Sequence, residues 1–230
     1  MEERLERQLR DWAEKYNDRR YFEHDPIIFP RHFVDSGASL KDIEIAAVFA
    51  SYLAWGRREM IVRDCERLFE HMEWKPEKYV TGGEWRDDDK SLHRTIKWRD
   101  IAAICRSLKD FYSSCDSLEN LDAAAMRTLV FGSKPDPKAA NKKINMMRRW
   151  MVRDDGKVDL GVWKHSDKRN LIIPLDTHVH SQAVSLGLTK RRQKDIGTAV
   201  EITDTFRGIF PDDPCLGDFA LFGHGVVTKE

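Results

Sequence analysis

Along most of this chain the apolar residues recur every three or four positions, and hardly anywhere every second one. A helix turns by about 100° per residue, so that spacing gathers apolar side chains on one face, whereas a half-buried strand needs strict alternation. Leu5, Leu9, Trp12 and Tyr16 follow the helical rule on a charged background and predict a helix over residues 3–18. Ile61, Cys65, Leu68, Phe69 and Met72 repeat it, as do Ile101, Ile104, Cys105, Leu108, Phe111 and Tyr112, and then Leu118, Leu121, Ala125 and Leu129. Asp195 to Ile209 and Leu216 to Phe222 close the series. Only Leu171 to Leu175 has a strand-like pattern, so the predicted fold class is all-α.

Ser39 and Asp42 have the spacing of a helix cap, and the helix they open is apolar nearly all round from Ile43 to Trp55. Such a helix belongs at the centre of its own lobe. It ends at Trp55-Gly56-Arg57-Arg58. An aromatic ring and two arginines there suit a phosphate backbone with a base to stack on, or simply complement the negative end of the helix dipole. The sharpest boundary is Phe131 to Pro137, rich in proline and glycine. It predicts two lobes, an internal one over 35–134 and a second made of 135–230 together with 1–34. Residues 81–97 lose the helical period and read as an exposed loop. Asp87, Asp88 and Asp89 within it cannot converge on one face, which favours solvation over a magnesium site. His24-Asp25 has the look of a metal-binding pair, but Pro26 argues against the continuous helix that such a pair needs.

Lysine plus arginine equals aspartate plus glutamate at 39 each, so no whole-molecule field draws in nucleic acid and any attraction must come from local clusters. The four cysteines form no Cys-x-x-Cys pair, which speaks against a zinc or iron–sulfur site; no cofactor and no metal are predicted. The N-terminal stretch lacks the apolar core of a signal peptide and no run reaches membrane-spanning length, so a cytoplasmic protein without membrane contact is expected.

Leu171 to Leu188, LIIPLDTHVHSQAVSLGL, turns a proline-broken apolar run into a helix at Asp176. An aspartate there accepts backbone N–H bonds and is held ionised by the helix dipole, whether it only caps or also reacts. Upstream, a helix beginning near Pro137 carries Ile144, Met147, Trp150 and Met151 in one sector, with Lys142, Met146, Arg149 and Arg153 along the next stripe. Lys143 falls inside the apolar sector, where it either snorkels outward or loses water, and desolvation makes an amine more nucleophilic. Lys142, Lys143, Arg148, Arg149 and Arg153 form the densest basic cluster, and Lys190, Arg191 and Arg192 the second; both read as solvated faces or as one phosphate-binding surface.

The segment PLDTHVHSQAVSLGL, the helix holding Glu201, and DFALFGHG together resemble the second half of the helix-hairpin-helix DNA glycosylase superfamily, the endonuclease III-like fold. The chain is also similar, through DPIIFP, LAWGRR, RRWMVR and PLDTH, to a bacterial family known as domain of unknown function 2400. The first resemblance implies a two-lobed helical fold with a cleft between lobes, a catalytic aspartate at Asp176, duplex DNA with a damaged base as partner, and a monomer. Two departures stand out: KHSDKRNLIIP has no hairpin glycine, and the iron–sulfur cysteines are missing after residue 215. The layout is closer to archaeal 8-oxoguanine glycosylases, whose nucleophilic lysine lies on a helix well before the aspartate. Lys142 and Lys143, 34 and 33 residues before Asp176, both fit it. The implied chemistry is base excision: a flipped base packs on Trp55, Trp150 or Trp163, and a lysine attacks the sugar beside Asp176. The alternatives are a non-catalytic nucleic-acid-binding protein of the same fold, and a metal-dependent hydrolase using Asp176, His178 and His180. The last conflicts with helical geometry, which points the two histidines about 200° apart.

Overall fold

Eleven α-helices and one two-stranded hairpin, with three short 3-10 turns besides, make up the regular elements of residues 3–227, the part of the chain that this computed structural model describes. In chain order they are α1 (Glu3–Tyr16), α2 (Ile28–Asp35), α3 (Leu40–Leu53), α4 (Arg58–His71), α5 (Pro76–Gly82), β1 (Ser91–His93), β2 (Ile96–Lys97), α6 (Trp98–Tyr112), α7 (Ala123–Leu129), α8 (Lys142–Val152), α9 (Thr177–Ser185), α10 (Ile196–Ile209) and α11 (Leu216–Val227). The fold is therefore mostly helical rather than all-α. Among the described residues no helix is long and apolar enough to cross a membrane. The chain divides into two compact units, residues 22–135 and residues 1–21 with 136–230.

In the internal unit α3 is buried on nearly every side, as its unbroken apolar run demands. Glu44 lies in the middle of it and is fully buried, yet satisfied: Tyr112 Oη donates to it at 2.7 Å, and Ser117 Oγ and the Leu118 N–H donate as well. A buried carboxylate without such donors would cost several kcal/mol, on the order of a broken buried pair. Helix α2 arises from the proline- and aromatic-rich stretch that shows no helical period. Pro30 sits in its first turn, where a missing N–H costs nothing, and Phe29 and Phe33 pack beside Phe69. Residues 22–34, grouped with the terminal segments from sequence, thus pack with α3 instead.

Helix α4 ends in a Schellman turn. The Glu73 N–H donates to Glu70 O at 2.9 Å and the Trp74 N–H to Phe69 O at 2.8 Å, while the Trp74 ring stacks on Phe69 at 5.7 Å. Glu73 takes the left-handed position, φ 53°, that glycine usually fills there. The stretch 81–97 is not only loop: it holds α5's last turn and the hairpin, whose strands of three and two residues are too short to alternate visibly. Asp87, Asp88 and Asp89 pair with Arg106, Arg86 and Lys97.

In the other unit α1 lies against α11. Gly223 leaves room for the Tyr16 ring where any side chain would collide with it, and Trp12 meets His224 at 5.0 Å between ring centres. Leu9, Ile173, Leu175, Ile202, Phe206 and Leu221 share one apolar core, each large side chain contributing about 1.5–3 kcal/mol. The extended run 171–175 is fixed on α10 by the Ile173 N–H, which donates to Thr203 Oγ1 at 3.1 Å. Helix α8 begins at Lys142, later than Pro137, because Asn141 is left-handed (φ 48°) and the residues before it pair elsewhere: Ala139 bridges Asp195, and the Ile196 N–H donates to Lys138 O at 3.0 Å.

Candidate functional site

Asp176 is delivered to the start of α9 by the buried run Ile173-Pro174-Leu175, and Pro174 prevents the helix from starting earlier. Its Oδ1 accepts the N–H groups of His178 at 2.8 Å and Val179 at 2.9 Å, so the cap read from sequence is present. The residue is half-buried. Its charge is felt by Asp218, which burial pushes above the usual carboxylate range against the pull of Arg149, with Asp176 adding to the rise.

Lys142 and Lys143 open α8 and are both half-buried. Burial, and then the adjacent charge of Lys142, pulls the Lys143 amine down to about 8. At neutral pH roughly a tenth of such an amine carries a free lone pair, a few hundred times more than an ordinary lysine offers. The starts of α8 and α9 are tied to one short segment. Lys194 Nζ donates to Thr177 Oγ1, next to Asp176, at 3.3 Å, while its neighbour Asp195 bridges Ala139, three residues before Lys142. Lys190 and Arg192 on the same segment are exposed. Arg191 is half-buried and engaged, bonding Asp195 at 2.9 Å and Thr198 at 2.8 Å. The Lys143 amine, the capping carboxylate of Asp176 and the surface cations thus belong to one unit.

Two cations of the α8 cluster leave the proposed phosphate surface altogether. Arg149 and Arg153 are buried, at 5% and 0% exposure, because their partners lie inside. Arg149 bonds Asp218 and reaches Asp159 at 3.3 Å; Arg153 takes Asp213 through Nε at 3.0 Å, Asp155 at 2.9 Å, and Asp159. The Phe219 ring lies under both guanidinium groups at 4.7 and 4.9 Å. Burial alone would lower both arginines, but these carboxylates outweigh it and raise them. Arg148 is half-buried on the same helix.

Trp150 and Trp163 are core residues at 1% exposure each, so neither ring presents a face to a flipped base. Trp55 is half-buried, with the Arg94 guanidinium 4.1 Å over its ring. Arg57 and Arg58 are exposed, but α3 stops at Leu53 and Gly56 (φ 104°) turns the chain, so they open α4 rather than close α3. They sit at the positive end of a helix dipole, and the complementing role read from sequence is overturned. His180 Nε2 meets the Arg191 carbonyl at 2.9 Å and His178 is exposed; among the described residues no three His, Cys, Asp or Glu side chains converge on a metal position.

Asp159, Asp213, Asp218 and Arg94 were not singled out in the sequence. Asp218 had a signal, being the one charge in the apolar run Leu216 to Gly223, where a carboxylate must find a partner. The other three had none. A family described as a protein of unknown function, DUF2400, matches residues 25–129 and 122–227. No curated protein and no solved structure matches the chain.

Proposed function

The chain belongs to the DUF2400 family, whose description names no activity, and we propose from the site itself that the protein is a DNA glycosylase with lyase activity, with Lys143 as nucleophile and Asp176 as the stabilising carboxylate. The observation that carries the reading is the Lys143 amine, held near 8 by burial at a helix start that shares the segment Lys194-Asp195 with the Asp176 cap. The resemblance of PLDTHV to the catalytic-aspartate segment of the helix-hairpin-helix glycosylases supports it. Lys190, Arg192 and Lys194 supply cations for the phosphates on either side of the reacting sugar.

In this reading the Lys143 lone pair attacks the anomeric carbon of a damaged nucleotide. The bond to the base breaks and its electron pair leaves with the base, which takes up a proton. Positive charge grows on the sugar meanwhile, and Asp176, with Oδ1 fixed by two backbone N–H groups, meets it already oriented. The amine then loses its proton, the sugar ring opens, and a Schiff base forms from which the 3′ phosphate is eliminated.

Borohydride trapping on duplexes carrying an abasic site or an oxidised base tests this. A covalent adduct is expected with the native chain and lost in Lys143→Ala. An adduct that survives there and disappears in Lys142→Ala would move the role by one residue. Absence of any adduct and of any base release over a broad lesion panel, with DNA still bound, would leave the non-catalytic binding protein in its place.

A further inference from the structure

We propose that the internal unit carries a phosphodiester-binding surface of its own, in which the Arg94 guanidinium, stacked on Trp55 and flanked by Arg57, Arg63 and Arg67, takes the backbone of a nucleic acid. The inference deepens the nucleic-acid reading above and rests on it for the class of partner only, not for any chemistry.

Arg94 stands in the two-residue turn of the β1–β2 hairpin with φ 54°, a conformation that disfavours any side chain. An arginine kept where glycine fits better points to work done by its side chain. The guanidinium lies 4.1 Å over Trp55, and it fills the space in which a Cβ on Gly56 would stand. Gly56 is itself left-handed (φ 104°), so both ends of the contact are shaped for it. Among the described residues no carboxylate pairs with Arg94. A guanidinium held over an indole is restrained in place, and its planar N–H fork is the group that holds phosphate through two hydrogen bonds.

The platform is anchored from beneath. His93 is fully buried; its Nδ1 meets Asp64 Oδ2 at 2.7 Å and its Nε2 meets the Trp55 carbonyl at 2.9 Å, which locks the hairpin to the Trp55 backbone. The same Asp64 receives Arg63 at 2.9 Å and stands 3.9 Å from Arg67, which also donates to Leu92 O. Two exposed guanidinium groups therefore share one buried carboxylate that is also engaged by His93. Arg57 and Arg58 add charge at the start of α4, where the helix dipole disfavours it, and Arg58 has Asp25 at 3.8 Å. Glu59, Glu66 and Glu70 oppose this charge along α4, at positions three or four residues from Arg63 or Arg67. What sets the platform apart is Arg94, which has no salt bridge among the described residues and lies over the Trp55 ring: a planar cation on an aromatic face, which matches a phosphate chain.

The test is fluorescence anisotropy of the full chain with a short labelled DNA duplex, and with its single strand, over a salt series. Arg94→Gly suits the left-handed turn and retains the fold. It should weaken binding to both probes about tenfold and lower the slope of log K against log salt by about one. Arg106→Ala, which removes equal charge from the same unit, should do much less. Equal affinities for native and Arg94→Gly chains, equal losses in Arg94→Gly and Arg106→Ala, or displacement by polyglutamate as effective as by unlabelled DNA would each overturn the proposal. Neither probe carries a lesion, so the outcome is independent of whether Lys143 forms an adduct.

Discussion

Replacing Lys143 by methionine should make the protein more stable at neutral pH, and the gain can be worked from the amine itself. In the unfolded chain the group titrates near 10.5; in the fold burial brings it to about 8. Below pH 8 both states carry the proton, and the fold bears the full cost of holding a charge where water is scarce. At about 1.36 kcal/mol per pH unit, a gap of about 2.5 units costs about 3 kcal/mol, reduced somewhat by the solvent that still reaches the side chain. Between pH 8 and 10.5 the unfolded chain binds more protons than the folded one, so native stability rises with pH and the cost disappears above 10.5. Methionine keeps the unbranched stem beside Trp150 and Met147 and carries no charge. Urea unfolding followed by tryptophan fluorescence at pH 7 and pH 10 is the assay, since Trp150 and Trp163 are buried in the same unit. The methionine chain should lead by about 2–3 kcal/mol at pH 7, and the lead should shrink by pH 10. A lead below about 0.5 kcal/mol at pH 7, or one that does not narrow with pH, would refute a desolvated amine and remove the main support for Lys143 as a nucleophile.

Asp176→Ala should lose about 1 kcal/mol with its cap, whereas Asp176→Asn keeps most of that stability and yet fails in borohydride trapping; normal trapping by the asparagine chain would reduce Asp176 to a cap. Arg153→Met leaves Asp213 without its ion pair inside the fold and Asp159 with Arg149 alone, and should cost about 3–5 kcal/mol in unfolding experiments, with no change in the salt slope of DNA binding; a cost under about 1 kcal/mol would contradict a buried ion network. Glu73→Gly relieves a left-handed side-chain position and should raise stability by about 0.5–1 kcal/mol in thermal melts, and a loss would mean the Glu73 side chain contributes more than its backbone costs.

What could be read in advance was whatever depended on neighbours in sequence. Asp176 was legible as a cap because a proline, a carboxylate and an amphipathic run follow one another within a few residues. Lys143 was legible as desolvated because helical phase alone places it beside Trp150 and Met147. Phase also placed Arg149 and Arg153 at the border of the apolar sector, where a charge faces water or a buried partner. The choice depends on Asp159, Asp213 and Asp218, of which the last two lie 60 and 69 residues further on from the arginine each one meets. The same limit hid the α3–α4 junction. A glycine can end a helix or let the chain turn into the next, and only the position of Arg94 over Gly56 and Trp55 explains why this one turns. The hairpin escaped notice because five strand residues show no period.

Helix α1 finds its partner in α11, so a helix made early waits for one made much later. Until some two hundred further residues have emerged, Leu9, Trp12 and Tyr16 have no surface to cover them, and closing so long a loop is slow. Residues 22–135 need no such wait, since every helix of that unit is present once Pro135 has left the ribosome. Assembly should then follow the order of synthesis, with the internal unit formed first and the unit of Lys143 and Asp176 completed once α11 has emerged. A chain stopped short of α11 would keep the arginine platform and leave the unit of Lys143 and Asp176 unfinished, with an uncovered aromatic stripe on α1 to attract chaperones.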